Sequence, residues 1–531
     1  MSLNRIGKGL AALSLAAVAA QARAETPVSI WAGCGENKVD GLATLMVGPT
    51  AARNQTPLAT AQEGVDRCND ALASLDASAP WQRRAALLRS RAKHYVRARN
   101  HVAALADLDA IASIEQPDAS YARSFGVSTH MLRAAAQMQA GKRDLAATEA
   151  LQAMRLRPWS EEVAQFAFVM VMIRDDIRPE DTRWWNQLVL LDSAVFERRA
   201  ALLARAGDWA VATADWLAAP NAPGAVTQTY VALPGVVVHG APGIPVQGVE
   251  VQRTVDAVLT AAMADRIDLA DAWLADLRRN IEAPPPQDGM AKRLGASPDP
   301  AAQRSELDKW NGLIEVAKVA GKGDIAGATN LLGAMRTIPI GTISTAMLQS
   351  IAAKAPAPAK ARLDAMVAMI RTNTERARDT RLAELDPDTL LGDLPDHEEV
   401  MLANPYRSAV KFLRANGASA KVAKDGKTAK VSFFGNKSQP FAIGEMTLLR
   451  AAELTLEQHH AAFRIVSNEG YVQTSTMTMY GSPVGPSTVS GNSVVMSIEF
   501  VDQAAGGAVN AAEVRAALAP LYIKEVPGAK S

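Results

Sequence analysis

The sequence predicts a mainly α-helical chain of several domains: a long series of stacked helix pairs closed by a small C-terminal α+β domain. Three observations carry this. Alanine is abundant and aromatics make up only 5% of the 531 residues, a composition that favours closely packed helices over sheets. The stretch Leu132–Pro158 (LRAAAQMQAGKRDLAATEALQAMRLRP) reads as two short helices folded back on each other. In it Ala134, Gly141, Ala146, Ala150 and Ala153 are small where the helices would cross, and Pro158 closes the pair. The pattern returns at Glu197–Ala219, with Ala200, Gly207, Ala212 and Ala219 in the same slots. The length is too great for one compact core, which calls for several domains or an extended array.

Residues 1–24 read as a secretory signal. Arg5 and Lys8 precede an apolar run, Gly9–Ala20, and Ala22-Arg23-Ala24 offers a cleavage site before Glu25. No later apolar run is long enough to span a bilayer, so a periplasmic or secreted protein without a transmembrane segment is expected after cleavage. Cys34 and Cys68 are the only two cysteines. In an oxidising compartment such a pair reads as one disulfide, inside an N-terminal leader at 25–80. The formal net charge of +1 gives no overall case for nucleic acid.

The helical body occupies 81–219 and resumes at 252–400. Trp81–Gln116 forms the first pair, with Leu88, Ala92 and Tyr95 on one face of its first helix. Ala104, Leu108 and Ile111 lie on one face of its second. From Gly141 to Gly207 is 66 residues, nearly two periods of about 34. Ser160–Ile173 and Thr182–Leu191 fill the slot between. Ala270, Leu274 and Leu277, then Ala328, Leu332 and Met335, take second-helix positions further on. These small-residue slots and the closing proline resemble the tetratricopeptide repeat (TPR) family. The resemblance implies a right-handed α-solenoid of TPR-like helix pairs, in which no pair is stable without neighbours. Residues 220–251, rich in Val, Gly and Pro, read as an irregular insertion or a short β-hairpin.

The tail, 401–531, changes period. Thr428–Phe434, Ala462–Val466 and Ser493–Val501 alternate like strands, with a further strand expected near Tyr471–Tyr480. Ile443–Gln458 and Asn510–Leu521 read as helices, the second with Asn510 as N-cap. The order predicts a two-layer α+β domain. Val431-x-Phe433 with Gly435-Asn436, LLRAAELTLEQ (448–458) and Phe463 resemble a small domain of unknown function from bacterial envelope lipoproteins. That resemblance implies an envelope location and no reaction. The lipid-attachment cysteine usual in that group is absent, and His459-His460 stand where it tends to have Gly and an aromatic.

No catalytic, cofactor-binding or metal-binding set emerges, and no cofactor is expected. Gly321–Gly327 approximates a dinucleotide fingerprint with one residue too many and a helix before it, so a repeat turn accounts for it better. His397-Glu398-Glu399 lacks the second histidine of a zincin, and adjacent histidines at 459 and 460 do not share a helix face. Arg89, Lys93 and Arg97 share a face of the first helix at i, i+4, i+8. A solvated face opposite an apolar stripe is the ordinary reading of such a trio. The TPR resemblance implies instead a groove whose basic residues hold the carboxylates of a peptide. The function expected is a non-catalytic scaffold for peptides or envelope proteins. An enzyme or accessory subunit with a site where body and tail meet, and a self-associating structural component, remain open.

Overall fold

The computed structural model describes residues 34, 60–79, 81–114, 122–174, 179–192, 195–219, 221–231, 244–284, 299–384, 406, 417–435, 438, 440–475, 478–479, 482–483, 488–502 and 507–523. The secretory signal expected at 1–24 and the acidic stretch with His397, Glu398 and Glu399 lie outside them. The described chain is mainly helical with small antiparallel sheets. It divides into two compact units, Met1–Arg174 with Leu385–Ser531, and Asp175–Glu384.

The first unit begins with α1 (Ala61–Ala73), α2 (Trp81–Arg97) and α3 (His101–Ile114). After a π-helical turn at Ala122–Gly126 come α4 (Val127–Gln139), α5 (Arg143–Leu156) and α6 (Glu161–Met172). Helix α1 starts at a capping box: the Thr60 hydroxyl accepts from the Glu63 amide, and the Glu63 carboxylate accepts from the Thr60 amide. Cys34 and Cys68 form the expected disulfide, packed with Ala71 and Leu87. Helices α2 and α3 pack as a hairpin, α4 and α5 as another, and α4 lies against both helices of the pair before it.

The second unit holds α7 (Pro179–Leu191), α8 (Val195–Arg205) and α9 (Trp209–Ala218), then strands β1 (Thr227–Val231) and β2 (Ile244–Gly248). The insertion at 220–251 therefore contains an antiparallel hairpin, with Thr227 opposite Gly248 and Val231 opposite Ile244. Helices α10 (Val251–Met263), α11 (Ile267–Glu282), α12 (Pro300–Gly321), α13 (Ile325–Ala334), α14 (Thr342–Lys354) and α15 (Ala357–Glu384) follow. Pairs α8/α9, α10/α11 and α12/α13 are hairpins, and α10 packs on α12. Helix α14 lies against α8 and α10 as well as α12, α13 and α15.

All five hairpins share one turn. Its key residue has positive φ: Arg99 (58°), Gly141 (72°), Gly207 (83°), Asp265 (58°) and Gly323 (85°). At each, the following amide reaches back to a carbonyl five residues earlier. Asn100 bonds to Tyr95, Lys142 to Gln137, Asp208 to Leu203, Arg266 to Ala261 and Asp324 to Val319, at 2.8 to 3.2 Å. This is a Schellman closure, which satisfies carbonyls left open at the end of the first helix. Seven residues before the turn sits a buried Ala92, Ala134, Ala200, Val258 or Val316. Five after it sits Ala104, Ala146, Ala212, Ala270 or Ala328, each fully buried. Alanine or valine at the first place and a single methyl at the second let the helices approach closely.

Two hairpins carry the same ionic clamp. Arg91 Nε and Nη2 donate to the two Asp107 carboxylate oxygens at 2.8 and 2.6 Å, and its Nη1 donates to Asn69 on α1 at 2.7 Å. Arg199 repeats this with Asp215 and with Asn186 on α7. The arginine precedes the small slot on the first helix, the acid lies on the second, and the amide comes from the helix before. Bidentate geometry makes these pairs directional as well as charged.

The C-terminal domain is built from β3 (Gly417–Val422), β4 (Thr428–Gly435), α16 (Pro440–Glu457) and β5 (Ala462–Ser475). Short strands β6 (Thr478–Met479) and β7 (Ser482–Pro483) pair with each other, and β8 (Thr488–Val501), β9 (Val509–Asn510) and α17 (Ala511–Tyr522) complete it. The main sheet is antiparallel in the order β3-β4-β8-β5-β9. Ala429, Val431 and Phe433 of β4 and Met496, Ile498 and Phe500 of β8 are buried on one face, and α16 packs on β4, β8 and β5. Asn510 caps α17, its side chain accepting from the Ala512 and Glu513 amides.

The sheet departs from the sequence expectation in two places. Tyr471 continues β5 instead of starting a new strand, because a register shift between Ile465 and Ser467 leaves Val466 outward, 61% exposed. That bulge interrupts the alternation which marks a strand in sequence. β3, GASAKV, opens with four small residues at an exposed edge and ends in Lys421 and Val422, so it has no apolar alternation to read.

The shared turn sets a sign test. Gly141→Ala or Gly207→Ala should lose about 1 kcal/mol in urea unfolding, since alanine resists positive φ. Arg99→Gly or Asp265→Gly should gain roughly 0.5 kcal/mol.

Candidate functional sites: the basic face of the first hairpin and the domain seam

Helix α2 turns Ala85, Leu88, Ala92 and Val96 inward. Its 17 residues contain no proline or glycine, so the helical spacing of Arg89, Lys93 and Arg97 is uninterrupted. All three are half-buried. Arg89 Nη1 donates to the Ser128 hydroxyl of α4 at 3.1 Å, and its guanidinium lies 4.9 Å from the Phe125 ring centre. Arg89 thus helps join the first hairpin to the second. Arg97 Nη1 approaches His94 Nδ1 at 3.2 Å; a guanidinium can only donate, so this nitrogen accepts. Burial, with Arg97 and Lys93 beside it, lowers the His94 pKa to about 4. The imidazole is therefore neutral at ordinary pH, and it rests on Gly64, where a Cβ would come within 2.2 Å of the ring.

The charge around this face is one-sided. Residues 81–157 contain thirteen lysines and arginines against six aspartates and glutamates, in a chain whose net charge is only +1. Three of those acids are engaged by bases of the same block: Asp107 with Arg91, Asp109 with Arg133, and Glu149 with His130. The block has an excess of fixed positive charge, which attracts anionic partners over a Debye length.

A second cluster went unread in the sequence. Arg157, just past α5, is 1% exposed. Its Nε and Nη2 donate to the two Glu445 carboxylate oxygens on α16 at 2.7 and 2.9 Å. Nη2 also donates to the Tyr522 hydroxyl at 3.0 Å, and Nη1 to the Arg123 carbonyl at 3.2 Å. The Tyr522 hydroxyl donates to Glu445 at 2.6 Å, and the Arg157 guanidinium lies 4.9 Å from the centre of the Phe441 ring. Burial alone would lower the Arg157 pKa; Glu445 and Tyr522 more than reverse it, so the pKa is raised. Burial, then the Glu445 charge, pushes the Tyr522 hydroxyl up. Arg123 and Asn468 add bonds across the seam, to the Ala517 carbonyl and the Glu161 carboxylate. No residue in this segment hints at a partner 288 positions away, as Glu445 is from Arg157.

The two adjacent histidines diverge. His459 takes positive φ, 62°, in the turn ending α16. His460 Nδ1 is 2.7 Å from Asp502, and its ring stacks on Phe500. Gly321 and Gly323 belong to the α12/α13 turn, where a Cβ on Gly321 would fall 1.9 Å from the Ala262 carbonyl oxygen. Among the described residues no group of three His, Cys, Asp or Glu is placed to hold a metal. No helix among them is long and apolar enough to cross a membrane. No protein-family model, curated protein or solved structure matches the chain.

Removing one partner of the seam tests its dependence on pairing. Arg157→Met should destabilise the first unit by about 3–5 kcal/mol in urea unfolding, because Glu445 stays buried without its cation. Arg157→Met with Glu445→Met should recover most of that loss.

Proposed function

We propose that this protein is an extracytoplasmic binding scaffold, a right-handed α-solenoid of TPR-like helix pairs that receives an acidic segment of a peptide or envelope protein. The observation that carries this reading is the uneven charge of the first two hairpins, where bases outnumber acids about two to one. Arg89, Lys93 and Arg97 present three of those bases along one helix face. The five turns of one bonding pattern and the buried alanine that follows each support the repeat reading, since each hairpin is then one unit of an array. The disulfide and the absence of a membrane-crossing helix among the described residues are compatible with a secreted or periplasmic chain. No catalytic step is part of this proposal. Recognition in it rests on charge and helix-face geometry, and the tail docks on the body through a packed seam.

Arg89 also braces α4, so Lys93 and Arg97 are the better probes. Lys93→Glu with Arg97→Glu should weaken binding of a fluorescent Glu-rich peptide at least about tenfold by anisotropy. Circular dichroism should be unchanged, and wild-type binding should fall steeply as salt is raised. Equal binding of Glu-rich and Lys-rich peptides by the wild type would sink the proposal.

A further inference from the structure

We propose that the open face of the C-terminal sheet is a meeting surface for a second copy of this chain. Two copies set face to face bring the lysines of β3 and β4 over the unpaired carboxylate of β5.

Helix α16 covers one face of the sheet, and the register fixes what stands on the other. In one row Lys421 of β3 lies opposite Lys430 of β4. The next row crosses Val495 of β8 and ends at Glu469 of β5. The third runs from Gly417 through Phe434 to Tyr471, which is 49% exposed. In a regular strand Arg464 and Glu469, five places apart, would point to opposite faces. The bulge at Val466 returns both, with Tyr471, to the open face.

Charge on this face does not balance locally. Arg464 donates to Glu499 at 2.6 Å, which closes that pair. Lys421 and Lys430 are both exposed, and like charges directly opposite each other repel. Neither bonds a carboxylate among the described residues. Lys424 and Lys427, in the turn that joins β3 to β4, add positive charge at the same edge, and Asp425 there accepts from the Lys427 amide. Glu469 accepts only from the neutral Tyr471 hydroxyl. It lies two strands from Lys430, about 10 Å away across the sheet. One edge of the face is thus basic and the other acidic.

A two-fold axis along the strands, above the gap between β4 and β8, lays β5 of one copy over β3 of the other and keeps each row in place. Such a contact is isologous, so whatever it pairs it pairs twice. Glu469 then stands one row from Lys421, about 7 Å along the strand and within reach of a lysine side chain. Tyr471 stands over Gly417, which has no side chain to obstruct the ring. Phe434 reaches over Gly491, where a Cβ would come 2.7 Å from its ring. Sheets stacked in this way pack about 10 Å apart with strands within about 30° of each other. A face of four strands by six residues spans only roughly 19 by 20 Å, so the dimer is a weak one.

Sedimentation velocity of the full chain at about 5 to 500 μM tests this, a range suited to a small interface. The mass should climb toward twice that of one chain, and less so as salt is raised. Glu469→Lys removes the unpaired acid of the face, and Lys421→Glu with Lys430→Glu removes its unpaired bases. Each should raise the dissociation constant at least about tenfold, and equal parts of the two should recover the wild-type mass. Tyr471→Arg carries the same expectation if a reversal fails to fold. Lys93→Glu with Arg97→Glu, on α2, should leave the mass unchanged. A wild type that keeps the mass of one chain to the top of that range would overturn the proposal. So would a dimer that both reversals leave intact, a mixture no heavier than its parts, or a mass lowered by the α2 substitutions instead.

Discussion

The first unit depends on one buried ion pair. Arg157 and Glu445 belong to segments that leave the unit at Arg174 and rejoin it at Leu385. The entropy of closing so long a connection grows only with the logarithm of its length, so the separation is affordable. Burying two charges is harder. Each loses its hydration, and only good geometry with every remaining donor satisfied offsets this. Here both carboxylate oxygens, the tyrosine hydroxyl and the Arg123 carbonyl supply that geometry, with the Phe441 ring as a flat wall. A buried pair adds little net stability over an apolar contact, but it penalises every alternative docking. Any shift of α16 along α6 would leave Arg157 buried without its partner.

Within each hairpin the constraint is closeness instead of charge. Alanines after the turn remove the side chains that would hold two helices apart, and the turn residue then has to reverse the chain at once. That requirement places φ in the left-handed region, where glycine is comfortable and arginine or aspartate is not. The Arg91–Asp107–Asn69 and Arg199–Asp215–Asn186 clamps act at the next level. Each ties the two helices of a pair to the helix before, so the pair's position is fixed by its neighbour. In the α10/α11 hairpin the matching positions are Ala257 and Trp273, both buried, and apolar packing replaces the clamp.

How much of this was legible follows from how local each signal is. The hairpins at Gly141 and Gly207 announce themselves, because glycine and alanine slots fall within one stretch of sequence. The same turn at Arg99 and Asp265 is hidden, since nothing in those residue types advertises positive φ. Two cysteines in a chain read as secreted leave one pairing, and the Asn510 cap needs only its own first turn. By contrast β3 is written mostly in small residues, and β5 is cut short to the eye by its bulge at Val466. Arg157 could not have been found from its own segment, where it looks like any base at a helix end. Its meaning comes from a carboxylate in another domain, a long-range pairing that periodicity does not encode. Arg89 was legible as part of a basic face, but its bond to Ser128 and its contact with Phe125 were not.

The two units differ in what covers the first helices of their hairpins. In the second, α14 lies against α8, α10 and α12, and its Ile343, Met347, Leu348 and Ile351 are buried there. The first helices of those hairpins thus spend much of their free face on the chain's own helix. The backbone approach at Gly321 leaves no space for even a methyl group. In the first unit α2 keeps a half-buried basic face, and the chain keeps its charge density tolerable by holding His94 neutral beside Lys93 and Arg97. Arg89, Lys93 and Arg97 place three bases of like charge along about two turns of that face. This half-buried basic face, of which Arg89 also packs on Phe125, is the part of α2 on which the binding proposal rests.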